Sequence, residues 1–412
     1  MKNKFLNEMQ SRGYLNQCTN IEKLGEICDK KSISGYIGFD CTASSLHVGS
    51  LLQIMILRLM QRYGHRPIVL LGGGTTLIGD PSGKDSTRKI LTQKEIKNNI
   101  NSIKKVFNKV LNTKDKKTKP IFVNNDEWLT KLNYIDFLRS VGKHFTINKM
   151  LTYDSVKLRL QREQSLSYME FNYMILQAFD FYKLFKNKNC ILQIGGSDQW
   201  GNIVNGVDLI RRILNKDSFG LTSPLITLAS GAKMGKTESG AIWLNKDLFS
   251  SYEYWQFWRN TDDRDVKKFL NFFTEIKTSE IDEMCRSEKN INKLKVLLAN
   301  EATRILHGEK SSKKAEMTAR ETFEGSGISK NLPEIRLDLD EIKLGVNILD
   351  LLTKSNIMQS KSEARRAILN KGLKINDKTI NNEKLIINLS DFKQKICKIS
   401  FGKKKHFLIK FN

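Results

Sequence analysis

Apolar positions along residues 50–64 (SLLQIMILRLMQRYG) recur at helical spacing and stop at Gly64, so this stretch predicts a helix. Before it, GYIGFD (35–40) reads as a short buried strand. After it, RPIVLLGGG (66–74) reads as a second strand, entered through Pro67 and ended by three glycines. Strand, helix and strand in so short a span make a βαβ crossover, which predicts a parallel sheet. CILQIGG (190–196) is a later strand with the same glycine-terminated end. Ligands of such sheets bind beyond the carboxyl ends of the strands. All three strand ends carry polar or glycine-rich sequence there. Residues 125–185 read as mostly helical, and the helical pattern returns over 245–325 with the aromatic cluster YEYWQFW. EGSGISKNLPE (324–334) combines glycine, serine and Pro333 and reads as a linker.

With 412 residues the chain can bury a sizeable core in two or three domains. An apolar share of 40% excludes a disordered protein. The 69 Lys and Arg against 44 Asp and Glu leave a net charge of +25, which suits a polyanionic partner. A lysine-rich coding bias would scatter that charge evenly, and it is not even. Residues 343–412 hold 16 basic against 5 acidic side chains, and residues 84–120 hold 12 against 3. The six cysteines are scattered without a C-x-x-C pair, so neither a metal site nor a disulfide framework is expected. That usage fits a reducing compartment. The opening residues lack an apolar core of signal-peptide length, and no run is long enough to span a membrane. The expectation is a soluble, cytoplasmic chain.

Three loops carry candidate chemistry. His47 stands directly before the helix at 50–64, where exposed amide groups and the helix dipole favour phosphate. A histidine there can donate to an oxyanion, or merely cap the helix. SGAKMGKTESG (230–240) sets Lys233 and Lys236 among small residues, as a mobile loop closing on phosphate would, or as a solvated surface loop would. In QIGGSDQWGNI (193–203), Asp198 and Gln199 follow a strand-ending Gly-Gly, where a carboxylate can hold a ribose diol. GGGTTLIGDPSGK (72–84) matches neither a dinucleotide fingerprint nor a P-loop. A structural turn and a ligand loop explain it equally well.

Taken together, HVGS (47–50) resembles the first signature of the class I aminoacyl-tRNA synthetases and KMGKT (233–237) the second. YIGFDCTASSLHVG, GHRPIVLLGGGTTLIGDPSGK, EFNYMILQAFDF and LQIGGSDQWGNI narrow the resemblance to the bacterial-type tyrosyl-tRNA synthetases. ILDLLTKSNIMQSKSEARRAILNKGLKINDKTI (348–380) resembles the small S-four-type RNA-binding domain that ends that family. Any one of these motifs is a weak signal; five in one order form a specific one. The sequence departs from the family at Ser50, where histidine or asparagine is common. Gly235 and Thr237 stand where the wider class has serines, a usual form in this family.

The resemblance implies an α/β fold. A Rossmann-type doubly wound parallel sheet with a helical insertion is followed by a helical domain and a small C-terminal α+β RNA-binding domain. The implied boundaries are 1–225 for the catalytic domain, with a dimerisation insertion at about 125–175. Residues 226–325 then hold the lysine loop and helical domain, 326–345 the linker and 346–412 the S-four-type domain. The implied reaction joins L-tyrosine to ATP as tyrosyl-adenylate, releases pyrophosphate, and transfers tyrosine to the 3′ end of tRNA(Tyr). Positioning and charge stabilisation carry such a step without an enzyme nucleophile.

By resemblance, Tyr36 and Asp180 bind the substrate phenol, and Asp80, Tyr173 and Gln177 its ammonium group. Tyr173, Gln177 and Asp180 lie at i, i+4 and i+7, so one helix face presents all three. Asp40, Thr42, His47, Gly49, Ser50, Gly196, Asp198 and Gln199 are implied around the adenylate. Lys84, Arg88, Lys233, Lys236 and Thr237 are implied at the departing pyrophosphate, and Arg365 and Arg366 on tRNA. Mg²⁺ is expected to arrive on the ATP phosphates, with no metal site of the protein's own. A second copy of the chain is the further expected partner, and neither membrane nor DNA is. A tryptophanyl enzyme would not need Tyr36 paired with Asp180, and an RNA-binding protein with a decayed site would not keep both lysines.

Overall fold

The computed structural model describes residues 3–80, 91–231, 234–237, 240–324, 332–392, 395–402 and 405–411. The side chains of residues 154, 155, 236, 237, 322–324 and 405 fall outside that description. Two compact units result. One comprises Met1–Gly235, Trp243–Leu248 and Asp262–Lys289; the other comprises Lys236–Ile242, Phe249–Thr261 and Asn290–Asn412.

The first unit is built on a six-stranded sheet: β1 (Gln17–Cys18), β2 (Ser34–Asp40), β3 (Arg66–Gly72), β4 (Ile121–Asn124), β5 (Cys190–Gly196) and β6 (Phe219–Ser223). Their spatial order is β1-β6-β5-β2-β3-β4. Every pairing is parallel except β1 with β6 at one edge. The predicted parallel α/β sheet is therefore present. From β2 the chain runs outward to β3 and β4 on one side, and later to β5 and β6 on the other. The order thus reverses between β2 and β5, and Asp40 and Gly196 end those two strands. Such a switch point leaves a crevice at the carboxyl ends, the usual ligand position.

The helix predicted after β2 covers Leu51–Arg62. Nine of its twelve residues are buried, so it is enclosed nearly all round and not merely amphipathic. Arg58 still reaches water's edge, donating through Nε and Nη2 to both carboxylate oxygens of Glu275 at 2.9 Å. Emptying one such core position, Leu57→Ala, would cost about 2–5 kcal/mol. The long helix Tyr168–Lys188 opens on a capping box in which Ser167 and Glu170 satisfy each other's backbone N–H groups. It packs with the short helices of the insertion through Phe137, Val141, Met150, Met174 and Phe179.

In the second unit the helices Ser251–Arg259, Ile291–His307 and Glu309–Glu324 pack together. A five-stranded sheet follows, in the order Lys378–Thr379, Leu373–Ile375, Ile396–Phe401, Lys405–Phe411, Glu334–Leu337. Its core holds Ile348, Leu352, Ile368, Leu373, Ile399 and Ile409. Residues 334–344, inside the span read as linker, are instead structured. Glu334–Leu337 pairs in parallel with the strand Lys405–Phe411, and Leu339–Leu344 is helical. The physical reason was already in the sequence, because Glu-Ile-Arg-Leu alternates at the strand period and its burial alternates with it.

Candidate active site

Three carboxyl strand ends converge here, each by a local sequence device. On β2, Tyr36, Gly38 and Asp40 share one face of the strand because side chains alternate. At the end of β3 the glycine run forms the start of a short helix, Gly73–Ile78. Side chains at Gly72 and Gly73 would have no room. A Cβ on Gly72 would stand 2.9 Å from Asp40 Oδ1, and one on Gly73 would stand 2.2 Å from Asn124 Oδ1. The open choice between turn and ligand loop thus resolves toward structure for residues 72–78. Of the rest of that stretch Gly79 and Asp80 are described, and residues 81–84 lie outside the described residues.

Asp180 is the most enclosed carboxylate of the group, 1% exposed. Its Oδ2 accepts from Asn125 Nδ2 at 2.9 Å, and its Oδ1 accepts from Trp128 Nε1 at 2.8 Å. Burial pushes its carboxyl up to about 7, the nearby Asp40 charge adds to that, and the two donated hydrogen bonds oppose it. Tyr36 is equally enclosed and packs against Phe181 with ring centroids 5.4 Å apart. Its hydroxyl makes no hydrogen bond to any described residue. Burial, reinforced by the Asp180 charge, raises that phenol well above its ordinary range. Tyr36 therefore stays a neutral donor.

Around this pair the other predicted tyrosine-site residues form two short chains of hydrogen bonds. Tyr173 Oη donates to Asp40 Oδ1 at 3.3 Å, and Thr75 Oγ1 donates to the same oxygen at 3.4 Å. Asn202 Nδ2 donates to Gln177 Oε1 at 3.0 Å and to Gln199 Oε1 at 3.1 Å. Gln199 Nε2 in turn donates to Asp80 Oδ2 at 2.9 Å. Tyr173, Gln177 and Asp180 come from the one helix face that the spacing indicated.

At the phosphate side, His47 caps a short 3₁₀ turn, Val48–Ser50, that leads into the helix Leu51–Arg62. Its Nδ1 accepts the Gly49 N–H at 3.0 Å, so the proton of the neutral ring rests on Nε2. His47 thus both caps and keeps a donor, which joins the two readings of it. Ser50 is half-buried and its side chain makes no cap hydrogen bond to the helix it precedes. Thr42 is exposed. Cys41, next to Thr42, is buried, its thiol pushed up to about 12 by burial and by the Asp40 charge, so it is no nucleophile. At β5 a Cβ on Gly196 would stand 2.6 Å from Asp198 Oδ1, which is why glycine ends that strand. Lys84, Arg88 and Lys233 lie outside the described residues. Lys236 and Thr237 form a short strand paired with Gly240 and Ala241. Arg365 and Arg366 are exposed on the helix Lys361–Leu369, with Arg365 Nε 3.4 Å from Glu383.

Sequence reasoning missed four contributors: Thr75, Asn125, Trp128 and Asn202. Asn125 is fully buried, and its Oδ1 accepts from Gly74 N–H at 2.8 Å while its Nδ2 reaches Thr75 as well as Asp180. The available signal was NNDEW (124–128), a polar cluster at the end of β4 that follows the same strand-end rule.

Comparison with known proteins agrees over nearly the whole chain. Residues 29–324 match the model of tRNA synthetases class I (W and Y), and residues 324–409 that of the Tyrosine--tRNA ligase SYY-like C-terminal domain. A tyrosine--tRNA ligase of Pelagibacter ubique is 61% identical over 407 residues, 99% of each chain. One of Rickettsia conorii is 49% identical over 409 residues, covering 99% of this chain and all of its own. Among solved structures, a C-terminally truncated mitochondrial tyrosyl-tRNA synthetase of Aspergillus nidulans superposes with a TM-score of 0.69 at 30% identity. That match covers 78% of this chain and 95% of the other. The tyrosyl-tRNA synthetase of Archaeoglobus fulgidus shares the fold at a TM-score of 0.56 and 17% identity.

Proposed function

The chain belongs to the class I tRNA synthetases, in the branch that ligates tyrosine, and from that premise we propose how its residues divide the work. The activity is tyrosine–tRNA ligation: L-tyrosine and ATP give tyrosyl-adenylate and pyrophosphate, and tyrosine then passes to the 3′ end of tRNA. The observation that carries the site assignment is the Asp180 carboxylate, buried and held by two donors beside the Tyr36 hydroxyl. Asn125 and Trp128 can only donate to it, so its lone pairs remain the acceptor for a third donor. The substrate phenol supplies that donor and accepts from Tyr36. Phenylalanine can do neither.

Asp80, Tyr173 and Gln177 receive the ammonium group. Asp40, Thr42, His47, Gly49, Ser50, Gly196, Asp198 and Gln199 surround the nucleotide. The tyrosine carboxylate attacks the α-phosphorus and the bond to pyrophosphate breaks. His47 Nε2–H, Lys84, Arg88, Lys233, Lys236 and Thr237 stabilise the charge that develops on the departing oxygens. Mg²⁺, carried on the ATP phosphates, adds charge neutralisation when bound. Arg365 and Arg366 hold tRNA phosphates. The division at 1–225, 226–325, 326–345 and 346–412 separates activation from tRNA capture, with 334–344 joined to the terminal sheet. ATP–pyrophosphate exchange with each amino acid in turn tests this reading, which requires exchange with tyrosine and not with phenylalanine or tryptophan.

Two copies of the chain pair through the insertion. Tyr134, Ile135, Ile147, Leu160 and Tyr168 are each more than half exposed, an apolar concentration uncommon on a monomer. Sedimentation of an Ile135→Asp variant against wild type tests the pairing, since a buried charge there must dissociate it. A cytoplasmic location is the reading that six free cysteines, four of them buried, support.

A further inference from the structure

Met234 and Gly235 carry the backbone of the second signature onto the first. Met234 N–H donates to the Ile226 carbonyl at 3.0 Å. A Cβ placed on Gly49 would stand 2.7 Å from the Met234 carbonyl oxygen. Gly235 lies against the imidazole itself: a Cβ there would stand 2.5 Å from His47 Nδ1, 3.0 Å from its Cε1 and 3.2 Å from Gly49 N. The 2.5 and 2.7 Å approaches are closer than real Cβ contacts come without movement, and those at 3.0 and 3.2 Å are tighter than most. The φ of Gly235 is +112°, which by itself disfavours a side chain.

The ring is held on several sides. Nδ1 takes the Gly49 N–H at 3.0 Å, and the His47 backbone bridges Trp243 in antiparallel fashion. Leu244 N–H donates to the Leu46 carbonyl at 2.9 Å, anchoring the same junction. The bare main chain of Gly235 closes the remaining Nδ1–Cε1 edge. A side chain at 235 has two ways out: the ring turns and breaks its bond to Gly49, or the loop lifts.

We propose that Gly235 is a positioning residue for His47, the point at which the lysine loop sets the imidazole with Nε2–H directed to a phosphate oxygen of ATP. The proposal rests on the assignment of His47 to the adenylation step. It couples the two signatures through a backbone contact, in addition to any charge that Lys233 and Lys236 bring.

The test is a double-mutant cycle in the full-length enzyme, with Gly235→Ala, His47→Gly and the pair. Single-turnover adenylate formation, tyrosine affinity and transfer from preformed tyrosyl-adenylate are read for each. Gly235→Ala should slow adenylate formation by about a hundredfold, the scale of misplacing a reacting group by roughly 1 Å. Tyrosine affinity and the transfer step should not move. In the His47→Gly background the same change should cost less than about threefold, because the ring it strikes is gone. An equal cost in both backgrounds would overturn the proposal, since it would then report backbone strain alone. So would an unchanged rate, or lost tyrosine affinity in Gly235→Ala, which would make the contact part of the fold. A wild-type enzyme without tyrosine-dependent exchange would instead defeat the assignment beneath it.

Discussion

The Asn125 amide and the Asp180 carboxylate stand 2.9 Å apart, 55 residues distant in the chain and both shut away from water. The same Asn125 side chain binds the N–H of Gly74 at 2.8 Å, so one residue ties the glycine helix to the Asp180 carboxylate. Asp180→Asn should lower the ratio of activation efficiencies for tyrosine and phenylalanine by about 1.5–3 kcal/mol, the worth of a hydrogen bond to a charged group. Asn125→Ala should lower it too, and should also destabilise the fold by about 1–3 kcal/mol through the unpaired Gly74 N–H. An Asp180→Asn enzyme with the wild-type ratio would remove the physical basis of the tyrosine assignment.

Acidity offers a second handle on that carboxylate. With its carboxyl pushed up to about 7, Asp180 takes up a proton as pH falls through neutrality. The efficiency of tyrosine activation should then fall with pH through Michaelis constant more than turnover, and Asp180→Asn should flatten that dependence. Stability follows the opposite course. Between the ordinary carboxylate range and about pH 7 the folded chain holds a proton that the unfolded chain has released, so this group's contribution declines as pH rises through that window. Denaturation of wild type relative to Asp180→Asn, measured at pH 5 and pH 8, should show the wild type losing ground at the higher pH.

Lys233 and Lys236 are expected to act on the transition state more than on bound ATP. Replacing either by Ala should reduce the activation rate by orders of magnitude with little change in ATP affinity. Stopped-flow measurement of adenylate formation across ATP concentrations separates the two effects. A change confined to affinity would make the lysines simple nucleotide anchors.

For the basic terminal domain the useful cut lies earlier than its sequence boundary, because Glu334–Leu337 belongs to its sheet. Removing residues 332–412 should leave pyrophosphate exchange largely intact and abolish most tRNA charging. In the whole enzyme, tRNA affinity should fall steeply as salt rises, through counterion release from phosphates. Equal loss of both activities on truncation would argue against a separate tRNA module.

Much of the candidate site is legible in the sequence, and the reasons differ by residue. Asp40, His47 and Gly196 stand at strand ends or helix starts, which hydrophobic patterning locates well. Asp180 is legible from its spacing, since it shares one helix face with Tyr173 and Gln177. For Asn125 and Trp128 the polar cluster NNDEW at the end of β4 marks a place but not a role, because that role is to fill lone pairs on a carboxylate far along the chain. That accounting needs distances. The glycines at 72–74 were ambiguous because close approach and ligand cradling demand the same residue; only the Asn124 and Asp40 contacts separate them. The strand after Pro333 is hard to read from sequence because four residues at a sheet edge carry too short an alternation to stand out.

That edge strand also fixes an order of events during synthesis. The six-stranded sheet has all its strands once Ser223 has been made. Glu334–Leu337, by contrast, must wait for Lys405–Phe411 before its backbone groups find their partners. At ribosomal speeds of about 5–20 residues per second that interval lasts roughly 4–14 s. Through it the nascent chain carries an unpaired strand, and here it reads Glu-Ile-Arg-Leu, a charge at every second position. Alternating charge is what keeps an exposed edge from recruiting a neighbour. The same four residues thus serve the finished domain as an edge and the unfinished one as protection against aggregation.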